Sequence, residues 1–190
     1  MTIVQVGTNN AVDPCSEYVL RNKELVTSLH LIEPLSACNT HINRVYSAVP
    51  NYKIYNIGIT DNPADKEITI YYPTSNSISG HSSSSKQHLR LHHHNDLSSV
   101  TVPAYTLEKF FELNSIKVCD RLYIDTEGLD CKILLDFDFT KYSINYIEFE
   151  IIHADGTFNK GENYNKCIQK FNSLGYRIEE AGEFNQCAIK

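Results

Sequence analysis

Along the chain, short runs of consecutive apolar residues alternate with stretches where apolar residues recur every third or fourth position. That is the pattern of strands feeding helices in a parallel sheet. IVQV (Ile3 to Val6) runs into Gly7, Thr8, Asn9 and Asn10, and Asp13-Pro14 then reads as an N-cap followed by proline at the first helical position. SLHLIEP supplies a second strand ending at Glu33-Pro34, and Leu35, Cys38, Ile42, Val45 and Val49 keep helical spacing behind it. KIYNIGI is the third strand and EITIYYP (Glu67 to Pro73) the next.

The rhythm then breaks. The serine- and histidine-rich stretch at about 73–98 is long for a loop in a compact domain, and such loops tend to be lids or disordered. VTVPAYTLEKFFELN restores a strand and a helix that Thr106 can cap, and RLYID and INYIEFEII are two more strands. A helix near Tyr164 to Leu174 and a closing pair, YRIEEA and QCAIK, end the pattern. The expected fold is α/β: a doubly wound, mostly parallel sheet with helices on both faces and an antiparallel C-terminal hairpin, its ligand at the carboxyl ends of the strands.

Composition narrows the reading. With 190 residues, 42% hydrophobic and 21% charged, the chain fits one soluble domain spanning 1–190. Seventeen basic and 23 acidic side chains leave a net charge of -6, which disfavours nucleic acid as a partner. No apolar run suits a membrane span and no signal peptide is legible, so a cytoplasmic location is expected. The six cysteines are scattered without metal-ligand spacing and read as reduced, buried thiols.

The candidate chemistry sits at the strand ends. Gly7 and the polar turn after it let a ligand approach bare backbone, and Glu33 on the next strand could accept hydrogen bonds from ribose hydroxyls, although glycine after a strand is also ordinary turn chemistry. In YIDTEGLD, Asp125 and Glu127 share one face of a strand end, Gly128 makes the turn and Asp130 is placed to start a helix. In YIEFEIIH, Glu148 and Glu150 share a face, with His153 just beyond. If the two strands are neighbours, Asp125 and Glu150 meet. Crowded carboxylates then call for a cationic ligand, a divalent metal on Asp125, Glu150 and His153, or a general base of raised pKa, unless Glu148 and Glu150 merely face solvent on an edge. In the long loop His88 and His92 have a helical i, i+4 spacing compatible with a metal, while the surrounding serines favour a solvated lid; with Lys86 and Arg90 they make a basic patch suited to a polar or anionic substrate.

QVGTNN (Gln5 to Asn10), IEP (Ile32 to Pro34), NIGI (Asn56 to Ile59), Thr106-Leu107, IDTEGLD (Ile124 to Asp130), FEIIH (Phe149 to His153) and Gly175-Tyr176 occur in the order found in the FkbM-type family of S-adenosylmethionine-dependent methyltransferases, which the chain resembles over nearly its whole length. The resemblance implies a class I methyltransferase, Rossmann-like fold and methyl transfer to a hydroxyl, on a sugar or glycan first and a small natural product second. It also implies that S-adenosyl-L-methionine is held by Gly7, Thr8, Asn9, Asn10, Glu33, Pro34, Ile57, Gly58, Asp125 and Glu127. Asp125, Glu150 and His153 are the expected catalytic groups, alone or through a magnesium or manganese ion, and His88 and His92 the expected substrate contacts. Gln5 stands where many members carry aspartate, and Ala11 where many carry glycine. Two rival readings stand beside this one. A nicotinamide-dependent oxidoreductase could use Glu33 equally well, but G-x-G-x-x-G is missing; a catalytically inert cofactor-binding module is the other.

Overall fold

The computed structural model describes residues 1–76, 78 and 80–190. In chain order the first part runs β1 (Thr2–Val6), α1 (Pro14–Arg21), β2 (Ser28–Ile32), α2 (Asn39–Tyr46), β3 (Tyr52–Tyr55), β4 (Gly58–Thr60) and β5 (Glu67–Pro73). It continues with α3 (Lys86–Leu91), β6 (Leu97–Thr106), α4 (Leu107–Leu113), β7 (Val118–Ile124) and α5 (Asp130–Asp136). It closes with β8 (Ser143–Glu150), α6 (Gly161–Ser173), β9 (Arg177–Glu180) and β10 (Asn185–Ile189).

Among the described residues, seven strands form one sheet in the order β3-β2-β1-β7-β8-β10-β9. The first five are parallel, while β10 lies antiparallel to both β8 and β9, which is the expected C-terminal hairpin. The chain moves outward from β1 to β2 and β3, then returns through β4 to β6 to lay β7 and β8 on the other side of β1, so the switch point falls between β1 and β7, where a doubly wound sheet opens a crevice. Side chains alternate across the strands as a two-residue period requires. Ile3, Leu29, Leu31 and Tyr123 join Val19 of α1 and Ile42 of α2 in one core cluster. Val4, Val6, Leu122 and Ile124 join Phe110, Ile133, Leu134 and Phe171 of α4, α5 and α6 in the other. Helices therefore cover both faces.

Three expectations change. KIYNIGI is two strands, because the Asn56 amide turns inward to donate to the Glu33 carbonyl at 2.7 Å and breaks the extended run; Gly58–Thr60 then pairs with β6 in a second sheet, β4-β6-β5. The late helix starts earlier, at Gly161. The 73–98 stretch is tied down where solvation was expected: Tyr71 and Ser83 exchange backbone hydrogen bonds of 2.9 and 3.0 Å, and the Ser85 side chain caps α3. Positions 77 and 79 of that stretch lie outside the described residues. The six cysteines are buried and free of disulfides, and no described helix is long and apolar enough to cross a membrane.

Candidate functional site

The turn after β1 is built to carry bare backbone. Gly7 has φ +82, and a Cβ there would lie 1.7 Å from the Asp125 carbonyl oxygen, so any side chain would force β1 and β7 apart. The turn is pinned from below. Asn9 and Leu35 both donate backbone N–H groups to the Glu33 carboxylate, at 2.7 and 2.8 Å, and Thr8 is fully buried against Ile32. Burial pushes Glu33 up to about 7, against the two N–H groups that favour its charge. At the far end of the turn, Asp13 caps α1 by accepting from the Ser16 N–H at 2.8 Å and from the Gln5 amide at 2.7 Å. An aspartate at position 5 would repel Asp13, which gives Gln5 a local reason to stand there.

Gly7 and Asp125 line two adjoining cavities. One is a polar cleft of about 240 Å³ between the β1 turn, Asp125, Glu127 and Glu148. The other is a narrow, mostly apolar slot walled by Glu33, Pro34, Ile57, Gly58 and Leu129 and roofed by Ser82 to Ser84. Every residue expected to hold the cofactor lines one or both: Thr8, Asn9, Asn10 and Glu127 the cleft, and Glu33, Pro34, Ile57 and Gly58 the slot.

β7 and β8 are neighbours, and Asp125 and Glu150 do meet. With Asp130 they place one oxygen each within 4.8 Å of one another. Asp125 opens to the cleft; Asp130 and Glu150 are buried. Desolvation and the charges of Asp130 and Glu127 raise Asp125 well above the usual carboxylate range. Burial and the charge of Asp125 push Glu150 to about 10, and burial lifts Asp130 to about 7 against its bonds from Thr126. The edge-strand alternative for Glu148 and Glu150 fails, since β8 lies between β7 and β10 and both side chains are buried. Glu148 instead accepts from Tyr146 at 2.7 Å and Asn185 at 3.0 Å.

His153 belongs to a different group from the one expected. Its Nδ1 lies 2.8 Å from Glu150 Oε1, but the ring gathers with His88, His92 and Glu127, so the set Asp125, Glu150 and His153 divides between two adjoining clusters. Nor is His88 a surface contact on a solvated lid. It is 1% exposed and hydrogen-bonds Glu127 Oε2 at 2.8 Å, because α3 docks onto the turns after β7 and β8. Burial lowers His88, yet the Glu127 carboxylate outweighs it and leaves His88 raised; burial lowers His153, and takes His92 to about 4.

Residues 5–178 match the Methyltransferase FkbM domain. The chain belongs to the FkbM methyltransferase family. Solved structures of similar fold include the methyltransferase FkbM from Methylobacillus flagellatus KT, at TM-score 0.55 and 10% identity, covering 100% of this chain and 43% of that one. Aeropyrum pernix fibrillarin with natively bound S-adenosyl-L-methionine follows at TM-score 0.50 and 9% identity, covering 99% and 66%. Methanococcus jannaschii fibrillarin, a pre-rRNA processing protein, gives TM-score 0.52 and 10% identity, covering 99% and 65%. The chain thus spans less than half of the FkbM structure and about two thirds of either fibrillarin, and at these identities the likeness is one of fold. No curated protein sequence matches it.

Against the family pattern, sequence reasoning missed Asp130 as part of the acidic cluster. Its carboxylate accepts from the backbone N–H of Thr126 at 2.7 Å and from the Thr126 hydroxyl, which folds the turn so that Asp130 faces Asp125. The acid four residues after Thr126 was the available signal. Glu127 as a partner of His88 had no local signal, since 39 positions separate them.

Proposed function

We propose that this chain is an S-adenosylmethionine-dependent O-methyltransferase acting on a hydroxyl of a sugar or glycan. The observation that carries it is the pair of cavities meeting at Gly7 and Asp125: an elongated ligand with an apolar ring at one end and a charged amino acid at the other matches a slot and a polar cleft joined at the switch point. When bound, S-adenosylmethionine supplies an electrophilic methyl group on a sulfonium. Glu33, which lines the slot, retains lone pairs beyond its two backbone bonds with which to accept from ribose hydroxyls. Gly7 lets the ligand lie against backbone. Asp125, the member of the acidic cluster open to the cleft, faces the cation and takes the proton from the acceptor hydroxyl, while buried Glu150 lies beside it and is bonded in turn to His153. A positive ligand beside Asp125 opposes the charges that raise its pKa and favours the ionised form a base needs.

Membership of a methyltransferase family weighs against the nicotinamide-dependent oxidoreductase. The oxygens gathered from Asp125, Asp130 and Glu150 give a magnesium- or manganese-assisted version of the same step an observation of its own. The test is calorimetric titration with S-adenosylmethionine and with NAD, followed by turnover on hydroxylated sugars with and without a chelator. Binding of the methyl donor alone is expected. Asp125→Ala is expected to lower turnover by at least about a hundredfold, the lower range for removing a general base; full activity in that variant overturns the assignment, and activity lost to chelator but restored by magnesium selects the metal-assisted version.

A further inference from the structure

The histidines of the 73–98 stretch and the turn after β8 converge in a way that methyl transfer does not require. The rings of His88, His92 and His153 lie at mutual centroid distances of 4.9, 4.7 and 4.8 Å, close to an equilateral triangle. One donor atom from each, together with one Glu127 oxygen, fall within 4.8 Å of one another. They come from three separate segments: His88 and His92 from α3 and its C-terminal cap, Glu127 from the turn after β7, and His153 from the turn after β8.

The hydrogen bonding decides what such a cluster can do. His88 Nδ1 lies 3.2 Å from the Gly156 carbonyl oxygen and His153 Nδ1 lies 2.8 Å from Glu150 Oε1. Glu150 Oε1 accepts from His153 Nδ1, which leaves the lone pair on His153 Nε2, and the Gly156 carbonyl accepts from His88 Nδ1; His88 Nε2 lies 2.8 Å from Glu127 Oε2 and shares with it a proton that a metal ion would displace. The Nε2 atoms of His92 and His153 are buried with no hydrogen-bond partner, although His153 is only 7% exposed. Two orphaned imidazole nitrogens beside a carboxylate are costly unless something accepts their lone pairs. A fourth histidine, His81, stacks on His92 at 4.7 Å, and Phe158 packs on His92 and His153 at 5.0 and 5.2 Å.

We propose that His88, His92 and His153, each through Nε2, and Glu127 through a carboxylate oxygen form a site for a zinc-class divalent transition metal that fastens α3 to the carboxyl edge of the sheet. Three imidazoles and one carboxylate are the donor set for zinc and its neighbours, whereas magnesium takes oxygen ligands. A tetrahedral ion with bonds of about 2 Å holds its ligand atoms about 3.3 Å apart, so a small inward movement of the four side chains completes the site. The Gly156 carbonyl and Glu150 supply the outer-shell acceptors that such histidines ordinarily have. With four protein ligands the site is a closed, structural one, and its role is to anchor the serine-rich roof of the cofactor slot. The proposal does not rest on the methyl-transfer reading.

The test is metal binding by untagged, chelator-stripped protein. One zinc per chain is expected by elemental analysis after equilibrium dialysis, unaffected by millimolar magnesium, and cobalt(II) in its place should give the visible absorption of a tetrahedral ion. His92→Gln, at the half-buried end of α3, should weaken zinc by at least a hundredfold, and Glu150→Ala, which removes the acceptor of the His153 Nδ1 proton, by about 10- to 100-fold through the outer shell. His93→Gln, on an exposed neighbour, should leave affinity unchanged. Less than half an equivalent of zinc in the wild type, an octahedral cobalt spectrum, or equal affinity in His92→Gln overturns the proposal.

Discussion

The carboxyl edge of the sheet has two halves that solve the same problem differently. At β1 and β2 the polar groups that build the turn are satisfied by their near neighbours: Glu33 by two backbone N–H groups, Asp13 by Ser16 and Gln5, and Asn56 by Glu33 and Asn39. At β7 and β8 the polar groups face one another instead, with three crowded carboxylates and unpartnered atoms on Glu150, His92 and His153. The first half is finished by its own chain and needs only to be approached by a ligand. The second half is completed by what binds there. Substitutions should therefore cost stability in the first half and function, more than stability, in the second.

The largest effect belongs to Gly7. A Cβ within 1.7 Å of a backbone oxygen, at a φ of +82 that L residues avoid, has no flexible neighbour to yield. Gly7→Ala is expected to cost several kcal/mol, on the order of the strain and overpacking it combines. Urea unfolding measures it. A loss below about 1 kcal/mol would mean that the β1 turn is looser than its bonds imply and would blur the contrast between the halves.

Next comes Glu33, whose effect depends on pH. Its carboxyl sits at about 7 against an ordinary 4.5, so the folded state holds a proton that the unfolded chain releases in that interval. Stability due to Glu33 is therefore fully present below pH 4.5, falls as pH rises towards 7 and levels off above it, by about 3 kcal/mol in total. Comparing wild type with Glu33→Gln at pH 5 and pH 8 cancels the remaining groups, and the gap between the two proteins should shift in favour of the variant by roughly that amount. A gap independent of pH would show the two N–H bonds outweighing burial.

Asp13→Ala should cost less, about 1 kcal/mol, since it removes an N-cap and one side-chain bond from the start of α1. This cap was legible because capping is a local event: Asp13, Pro14 and Ser16 lie within four positions. The strands, the hairpin and the meeting of Asp125 with Glu150 were legible for a related reason, since apolar runs and parallel order place strand ends together without knowledge of any contact. The break at Asn56 was not, because it depends on an amide reaching Glu33, 23 positions away. The histidine cluster was least legible of all. His88 and His92 show their spacing, but Glu127 and His153 reach them only once α3 docks, and serine-rich surroundings argued for solvent.

The smallest expected effect is the sharpest test of the comparison. With its carboxyl at about 10, Glu150 is a neutral acid at pH 7, so Glu150→Gln replaces one neutral side chain by another of the same shape. The carbonyl of glutamine can keep the bond from His153 Nδ1, and its NH2 group takes the place of the unpartnered Oε2, beside Asp125 and Asp130, where a donor is welcome. Metal-free protein should therefore lie within about 1 kcal/mol of wild type, with any change towards greater stability. Binding of a sulfonium should weaken in the same variant, because the amide cannot ionise to meet the cation. If Glu150→Gln instead unfolds the metal-free protein by more than about 2 kcal/mol while leaving ligand affinity intact, the second half is as self-sufficient as the first, and the distinction between a finished and an unfinished edge falls.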